Sequence, residues 1–473
     1  MITYQDLLLV PDSDRDRVEF VRKVINEHKG SDFYRTAVIA EEYDRHQNRT
    51  IVQYQKLLYD AIGNVLPDNW SANFKIPSKF FNRFVTQENQ YLLGNGVTWK
   101  EDSTGDKLGE EFDTQLQKAG QKALVGGVSF GFWNFDKLEV FSVLEFAPIF
   151  DEEDGAMKAG VRFWQIDERK PLRATLYELD GYTEFIWNER EKPEGHIFRD
   201  KRPYVLKIRT SEADGTEIYD GENYPSFPIV PLWGNPHKQS ELVGLREAID
   251  CYDLIKSGYA NNVDEGSLIY WTLNNAGGMD DLDLQEFVRK MKTLHAATTD
   301  DMTKAESHNL EAPYQSREAL LAKLRSDLYE DAMALDTKNI ADGAVTATQI
   351  KAAYEPLNAK TDQYEYCVRE FLKDILNLAG IEDEPTFTRS MIVNSQEEIQ
   401  LVIQAAPYLT EEYATRKILT LLGDGDLAED ILKQIEADEL DRGEEEYTGN
   451  IPSTAGNDAE GGENANGEED NEQ

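Results

Sequence analysis

An α+β fold is predicted by a change of texture along the chain. Period-two apolar runs between residues 125 and 187, broken by the turn signals Asp154-Gly155 and Asp180-Gly181, mark antiparallel strands. Apolar residues at three- and four-residue spacing before residue 66 and after Gln239 mark helices. At 473 residues the chain can bury an ample core, and its length alone suggests about three domains.

In order, residues 14 to 66 predict helices with loops between, with Val18, Val21, Val24 and Ile25 on one side and Ile51, Leu57, Leu58 and Ile62 later. A further helix carries Phe80, Phe81, Phe84, Val85, Tyr91 and Leu92 on its apolar side and stops at Gly94 and Gly96. Strands are predicted over 125–133, 138–144, 161–164, 174–177 and 182–187, and the β unit closes near 227–231. Leu242, Leu245, Ile249, Tyr252, Ile255 and Tyr259 then form a helical stripe, worth about 36 Å of helix. A second stripe carries Leu320, Leu324, Leu328, Ala332 and Leu335. The third runs Ile350, Tyr354, Leu357, Tyr364, Val368, Phe371, Ile375 and Leu378, about 46 Å long, with Pro356 expected to kink it.

Between the first two stripes, residues 262 to 313 are too polar to fold alone. Between the second and third, the small, glycine-containing run 336–348 should interrupt the helical path. Residues 386–389 read as extended, and 395–440 as two or three helices opened by a candidate capping box at Ser395 and Glu398. Beyond Arg442 the composition is that of disorder.

Charge narrows the partners. The formal net charge is −41, and residues 441–473 hold eleven acids and one base, leaving −31 on the other 440 residues. A protein that grips DNA needs a basic face to neutralise phosphates. This one disfavours static binding, while a channel through which DNA slides is better served by weak or repulsive walls. Cys251 and Cys367 match no metal or redox spacing and are expected as buried thiols in a reducing compartment. Met1 to Val10 has no cationic region before its apolar run, and no apolar run is long enough to span a bilayer, so a soluble cytosolic chain with no membrane partner is expected.

No catalytic motif or cofactor fingerprint emerges. The six histidines are scattered, and solvated or packing roles are expected for each. The runs 151–155 and 424–426 lack EF-hand spacing, and the glycine pairs at 126–127 and 277–278 belong to no phosphate loop. Asp280, Asp281 and Asp283 suit a solvated loop face better than a metal site; Arg289, Lys290 and Lys292 could touch phosphates or simply pair with Asp283 and Glu286 along a helix.

The stretch from Asn69 to Trp99, with Asn-Phe-Lys-Ile-Pro-Ser at 73–78 and a helix ending in Tyr91-Leu92-Leu93-Gly94, resembles the amino-terminal signature of portal proteins from long-tailed bacteriophages. The likeness extends over roughly residues 48 to 440, through 126–132 and 146–150, then 227–235 and 240–253, then 346–351 and Thr388-Arg389-Ser390 with Asn394. It implies a non-enzymatic, cofactor-free ring, usually of about twelve copies, sited at one capsid vertex and assembled in the host cytoplasm. Double-stranded DNA would pass through it weakly and non-specifically. Its partners would be terminase, major capsid and scaffolding proteins, and later a head-completion adaptor.

Mapped onto this chain, the resemblance implies a wing over 1–238, stem helices over 239–262 and 314–336, and a clip over 263–313. A tunnel loop over 337–347, a long kinked wing-to-crown helix and connection over 348–389, a crown over 390–440 and an acidic tail over 441–473 complete it. Asn339, Ile340, Ala341, Asp342, Gly343, Ala344, Val345 and Thr346 would line the DNA channel, and the charged set 280–292 would meet terminase or adaptor. Two rival readings stay open at this level: an acidic hydrolase using a carboxylate pair with a cleft lined by the β unit's aromatics, and an acidic assembly adaptor without a channel.

Overall fold

The computed structural model describes residues 2–59, 64–69, 71–135, 137–188, 192–210, 217–266, 270–274, 282, 289, 304–308, 314–338, 347–390, 395–422, 428 and 431–435. The chain divides into two compact units: Met1–Gly343 with Lys351–Met391, and Ala344–Ile350 with Ile392–Gln473.

The first unit opens with helices whose starts are written in side-chain oxygens. Thr3 and Asp6 form a capping box on α1 (Tyr4–Leu8). The Ser13 hydroxyl accepts from the Asp16 N–H to start α2 (Asp14–Gly30), and Ser31 does the same for Tyr34 at the head of α3 (Asp32–Asp44). The predicted stripe Val18, Val21, Val24 and Ile25 is buried. After α4 (Arg49–Gln53) the helical expectation fails: Leu57 and Leu58 lie in β1 (Leu57–Tyr59), paired antiparallel with β2 (Val65–Pro67). A short run of leucines fits either period, and no polar residue falls at the spacing that would separate them.

Next come α5 (Phe80–Leu93), β3 (Val97–Thr98), α6 (Asp102–Leu108) and α7 (Phe112–Gly126). All six predicted apolar residues of α5 are buried. The strand expected from Val125 starts later, at β4 (Val128–Trp133), because α7 runs on to Gly126 and ends on Gly127, whose φ of 87° is a left-handed cap.

Two antiparallel sheets follow. In the larger, β6 (Phe146–Phe150), β7 (Met157–Trp164), β8 (Leu172–Glu178), β9 (Gly181–Asn188) and β10 (Lys192–Arg202) lie in sequence order as a meander. The stripe of α2 packs on it, against Val161, Phe163, Ala174, Leu176 and Phe185. In the smaller, β4 lies between β5 (Leu138–Ser142) and β13 (Ile229–Trp233). Every residue of β4 is buried because both its faces are covered. Ser129 donates to the Ala119 carbonyl of α7 at 2.8 Å, a Cβ on Gly131 would meet the Phe371 ring at 2.5 Å, and on the opposite face Phe130 packs on Phe146 at 4.6 Å between ring centres. β11 (Val205–Thr210) and β12 (Glu217–Glu222), which have no counterpart in the sequence reading, pair as a separate hairpin.

Helix α8 (Arg246–Gly266) begins seven residues after the predicted 239. Gly244 at φ +91° and the turn held by Ser240, which accepts from the Leu242 N–H at 3.1 Å and donates to the Val125 carbonyl at 2.6 Å, keep Leu242 and Leu245 buried outside the helix. Beyond the strand pair β14 (Tyr270–Asn274) and β15 (Lys304–His308) comes α9 (Tyr314–Asp331), then α10 (Ala347–Ala379), which stays helical through Pro356. All eight residues of the third stripe are buried. β16 (Thr386–Phe387) pairs with β3. Cys367 is buried as expected, whereas Cys251 is exposed, since it lies on the opposite side of α8 from Ile249 and Asp253.

The second unit holds α11 (Ser395–Ala405), a single 3-10 turn at Ala406–Tyr408 and α12 (Glu411–Leu422). Leu401, Ile403, Tyr408 and Tyr413 are exposed on it. No described helix is long and apolar enough to cross a membrane.

Candidate functional site

Helices α8 and α9 flank the polar excursion of residues 267–313, and its base is closed by the β14–β15 ladder, in register from Tyr270 opposite His308 to Asn274 opposite Lys304. The two helices run antiparallel. Tyr252 of α8 and Tyr329 of α9 both pack edge-on against Phe80, at 5.0 and 6.2 Å, while Tyr259 meets Tyr314 at 5.7 Å. At 1.5 Å per residue they span about 31 and 27 Å.

What anchors α8 is a polar row. Asp253, Ser257 and Asn261, spaced by four, are buried on one face of the helix. Ser78 N–H donates to Asp253 Oδ1 at 2.8 Å, Ile76 N–H to Ser257 Oγ at 3.0 Å and Phe74 N–H to Asn261 Oδ1 at 2.6 Å. The match is geometric: four helical residues rise about 6 Å and two extended residues about 6.6 Å, so alternate N–H groups of a strand face every fourth side chain of a helix. Segment 73–78 thus lies along α8 as a strap. Asn48 closes its end, donating from Nδ2 to both Asp253 and the Ser78 carbonyl. Burial holds the Asp253 carboxyl above its ordinary range, opposed by the Asn48 and Ser78 hydrogen bonds.

A second buried network joins α5, α10 and the turn before α8. The Lys360 ammonium lies 2.7 Å from Glu88 and 2.8 Å from Glu241. Two carboxylates face one cation away from water, and burial pushes the Glu88 carboxyl up to about 7. Nearby, Tyr364 donates to Asn89 at 3.0 Å and Tyr91 to Asn358 at 2.5 Å. Arg389 ties the 386–390 segment to α10 through Asp362 and Glu365. At the end of α9, Arg325 grips Asp336 with two bonds of 2.6 and 2.8 Å, and Leu335 exchanges two hydrogen bonds with the Gln87 amide.

Burial fades from the turn after α9 back along the helix: Ala332 and Leu335 beyond its end and Leu328 within it are buried, Leu324 is half-buried and Leu320 is 46% exposed. Val263 near the far end of α8 is 53% exposed.

Of the residues singled out in the sequence, Asn339 to Thr346 lie outside the described residues, as do Asp280, Asp281, Asp283, Lys290 and Lys292; Arg289 is described and exposed. Among the described residues no cluster of three or more His, Cys, Asp or Glu could hold a metal ion. The Asp151–Gly155 run is a turn, with Lys158 paired to Asp151 and Asp154. His28 is a packing histidine against Tyr34 and Phe163, its Nε2 2.7 Å from the Val143 carbonyl.

The family model described as "Phage portal protein, SPP1 Gp6-like" matches residues 22–440. The chain belongs to this portal protein family. Portal proteins of this family are structural virion components rather than enzymes. Among named relatives, the portal protein of Bacillus phage SPP1 is 23% identical over 395 residues, covering 75% of this chain and 74% of that protein. The portal protein of Clostridium phage phiCD119 is 28% identical over 194 residues, 38% of this chain; that match spans only 43% of the relative's length. Among solved structures, a chain from the neck of an empty GTA particle aligns with a TM-score of 0.44 at 10% identity, covering 73% of this chain and 90% of that one. The match brackets both the strap on α8 and the Glu88–Lys360–Glu241 network, so both belong to the portal region of the chain.

Proposed function

We propose that this portal-family chain closes into a ring of about twelve copies at one capsid vertex, through whose bore double-stranded DNA is packaged and later ejected. The observation that carries the ring is the fading burial along α9. A stripe buried at Leu328 and bare at Leu320 leaves apolar surface that a neighbouring copy would cover, and a heterologous contact that closes gives a ring. An acidic body suits a channel that must not hold its cargo; DNA contact is weak and non-specific in this reading.

Residues 1–238 serve as wing, 239–262 and 314–336 as stem, 263–313 as clip, 337–347 as tunnel loop, and 348–389 as the link to a crown at 390–440. Residues 339–346 line the bore at its narrowest point, and the clip's charged set, Asp280, Asp281, Asp283, Arg289, Lys290 and Lys292, docks terminase and then a head-completion adaptor. Assembly with major capsid and scaffolding proteins takes place in the host cytoplasm. Native mass spectrometry with negative-stain class averages tests the reading: closed rings with an open bore are expected. Open or variable association would favour a channel-free adaptor, and a monomer persisting at high concentration would overturn the ring.

A further inference from the structure

This acidic chain carries a groove of the opposite sign. Between α2 and the turn joining β7 to β8 lies a cavity of about 480 Å³. Arg22 and Lys29 line it from the helix, seven residues apart and so on one face, and Arg169 and Lys170 line it from the turn. Glu168 is the sole carboxylate among the described lining residues. Among the described residues, none of the four cations has an ion-pair partner.

The two helix cations rest on aromatic rings, and the backbone of the turn that carries the other two is fixed by hydrogen bonds. Arg22 sits 5.8 Å from the centre of the buried Trp187 ring, and Lys29 lies 5.1 Å from that of Phe163. Gln165 donates to the Lys170 carbonyl at 2.9 Å and Asp167 accepts from the Arg169 N–H at 2.9 Å, which fixes the turn. The Lys29 ammonium is pulled below its ordinary range chiefly by burial and further by the Arg22 charge.

We propose that this groove docks an acidic polypeptide segment of another protein. The body's charge selects that occupant over DNA. Screening confines attraction to about 8 Å at physiological salt, and four cations occupy a small patch of a surface whose net charge is strongly negative. A flexible peptide can lay its carboxylates on those cations alone. A duplex gains affinity by engaging many phosphates along its length, and a patch of four cations offers it few. The inference rests on the groove alone and holds whether or not the ring reading does.

The test is fluorescence anisotropy with a labelled glutamate-only peptide on the full chain in its native assembly state. Saturable, salt-sensitive binding is expected, weakened by about tenfold or more in R169E/K170E. The matched control K107E/K118E, two exposed lysines elsewhere, should bind as the unmodified protein does. Both pairs are exposed, so unchanged thermal melting is expected. Equal loss in both double variants would reduce the effect to net charge and overturn the proposal. Full retention in R169E/K170E, or tighter capture of a short DNA duplex at the same salt, would overturn it too.

Discussion

Asp253 is a residue whose role its own neighbourhood in sequence does not show. Its carboxylate is buried, and the Ser78 N–H and the Asn48 amide both spend their hydrogen bonds on it. Asp253→Ala would strand two buried donors, and hydrogen bonds to a charged group are worth about 1.5–3 kcal/mol each. A loss of about 3–6 kcal/mol is expected in urea unfolding, against about 1 kcal/mol for Ser257→Ala, which removes one neutral bond. Equal effects would mean that the strap does not depend on the charge. Glu88 gives a pH-dependent counterpart. Its carboxyl is raised from 4.5 to about 7 by burial, so the folded chain holds a proton that the unfolded chain releases. The contribution is fully present below about pH 4.5 and is lost as pH rises through 7. Glu88→Gln mimics the protonated form, so unfolding free energies of the two proteins should be most alike near pH 5 and separate in favour of Gln as pH rises towards 8. A constant difference across that range would refute the assignment.

Elements with a single strong period were legible in the sequence, and those with mixed signals were not. The stripe of α10 and the aromatic face of α5 are buried as their spacing demands, because each has one packing surface and polar residues elsewhere. The turns at Gly155 and Gly181 need positive φ, 68° and 140°, and Asp-Gly announces them. The row Asp253, Ser257, Asn261 escaped notice because a polar row on a helix ordinarily faces water; its signal was the pairing of small acceptors at spacing four with an Ile-Pro-Ser segment that has no strand partner of its own. β10 and β12 are too polar to show an apolar period, and in β11 the alternation of Leu206 and Ile208 with Lys207 and Arg209 is too short to stand out. The same logic of faces yields a prediction for α9. Leu320 is 46% exposed and packs little within one copy, so Leu320→Asp should leave the unfolding free energy of the isolated chain unchanged to within about 0.5 kcal/mol. Yet it should shift the native mass spectrum from rings toward small species, since a buried unpaired carboxylate is costly at an interface. Rings unchanged in mass and yield would place Leu320 outside the subunit contact.

At the scale of the whole molecule, charge and one loop bear on the proposed passage of DNA. In the proposed ring, a body of net charge −31 apart from the tail would give a passing duplex little to grip, so what retains DNA would be steric. Residues 340–346 are small except for Ile340 and Asp342, and their two ends are held independently. On the α9 side Arg325 clamps Asp336 and Gln87 pins Leu335, and on the other side α10 begins at Ala347 with its stripe buried from Ile350 onward. Removing residues 340–346 should therefore leave α9, α10 and ring formation intact while widening the bore of the proposed channel. Packaging assays on particles carrying that deletion are expected to show filled heads at reduced yield, or heads that leak DNA after filling, with rings of normal subunit number by mass. Normal packaging and normal retention would assign the constriction to another segment. Loss of rings altogether would instead make these residues part of the subunit contact, a role that their small side chains and the clamps on either side argue against.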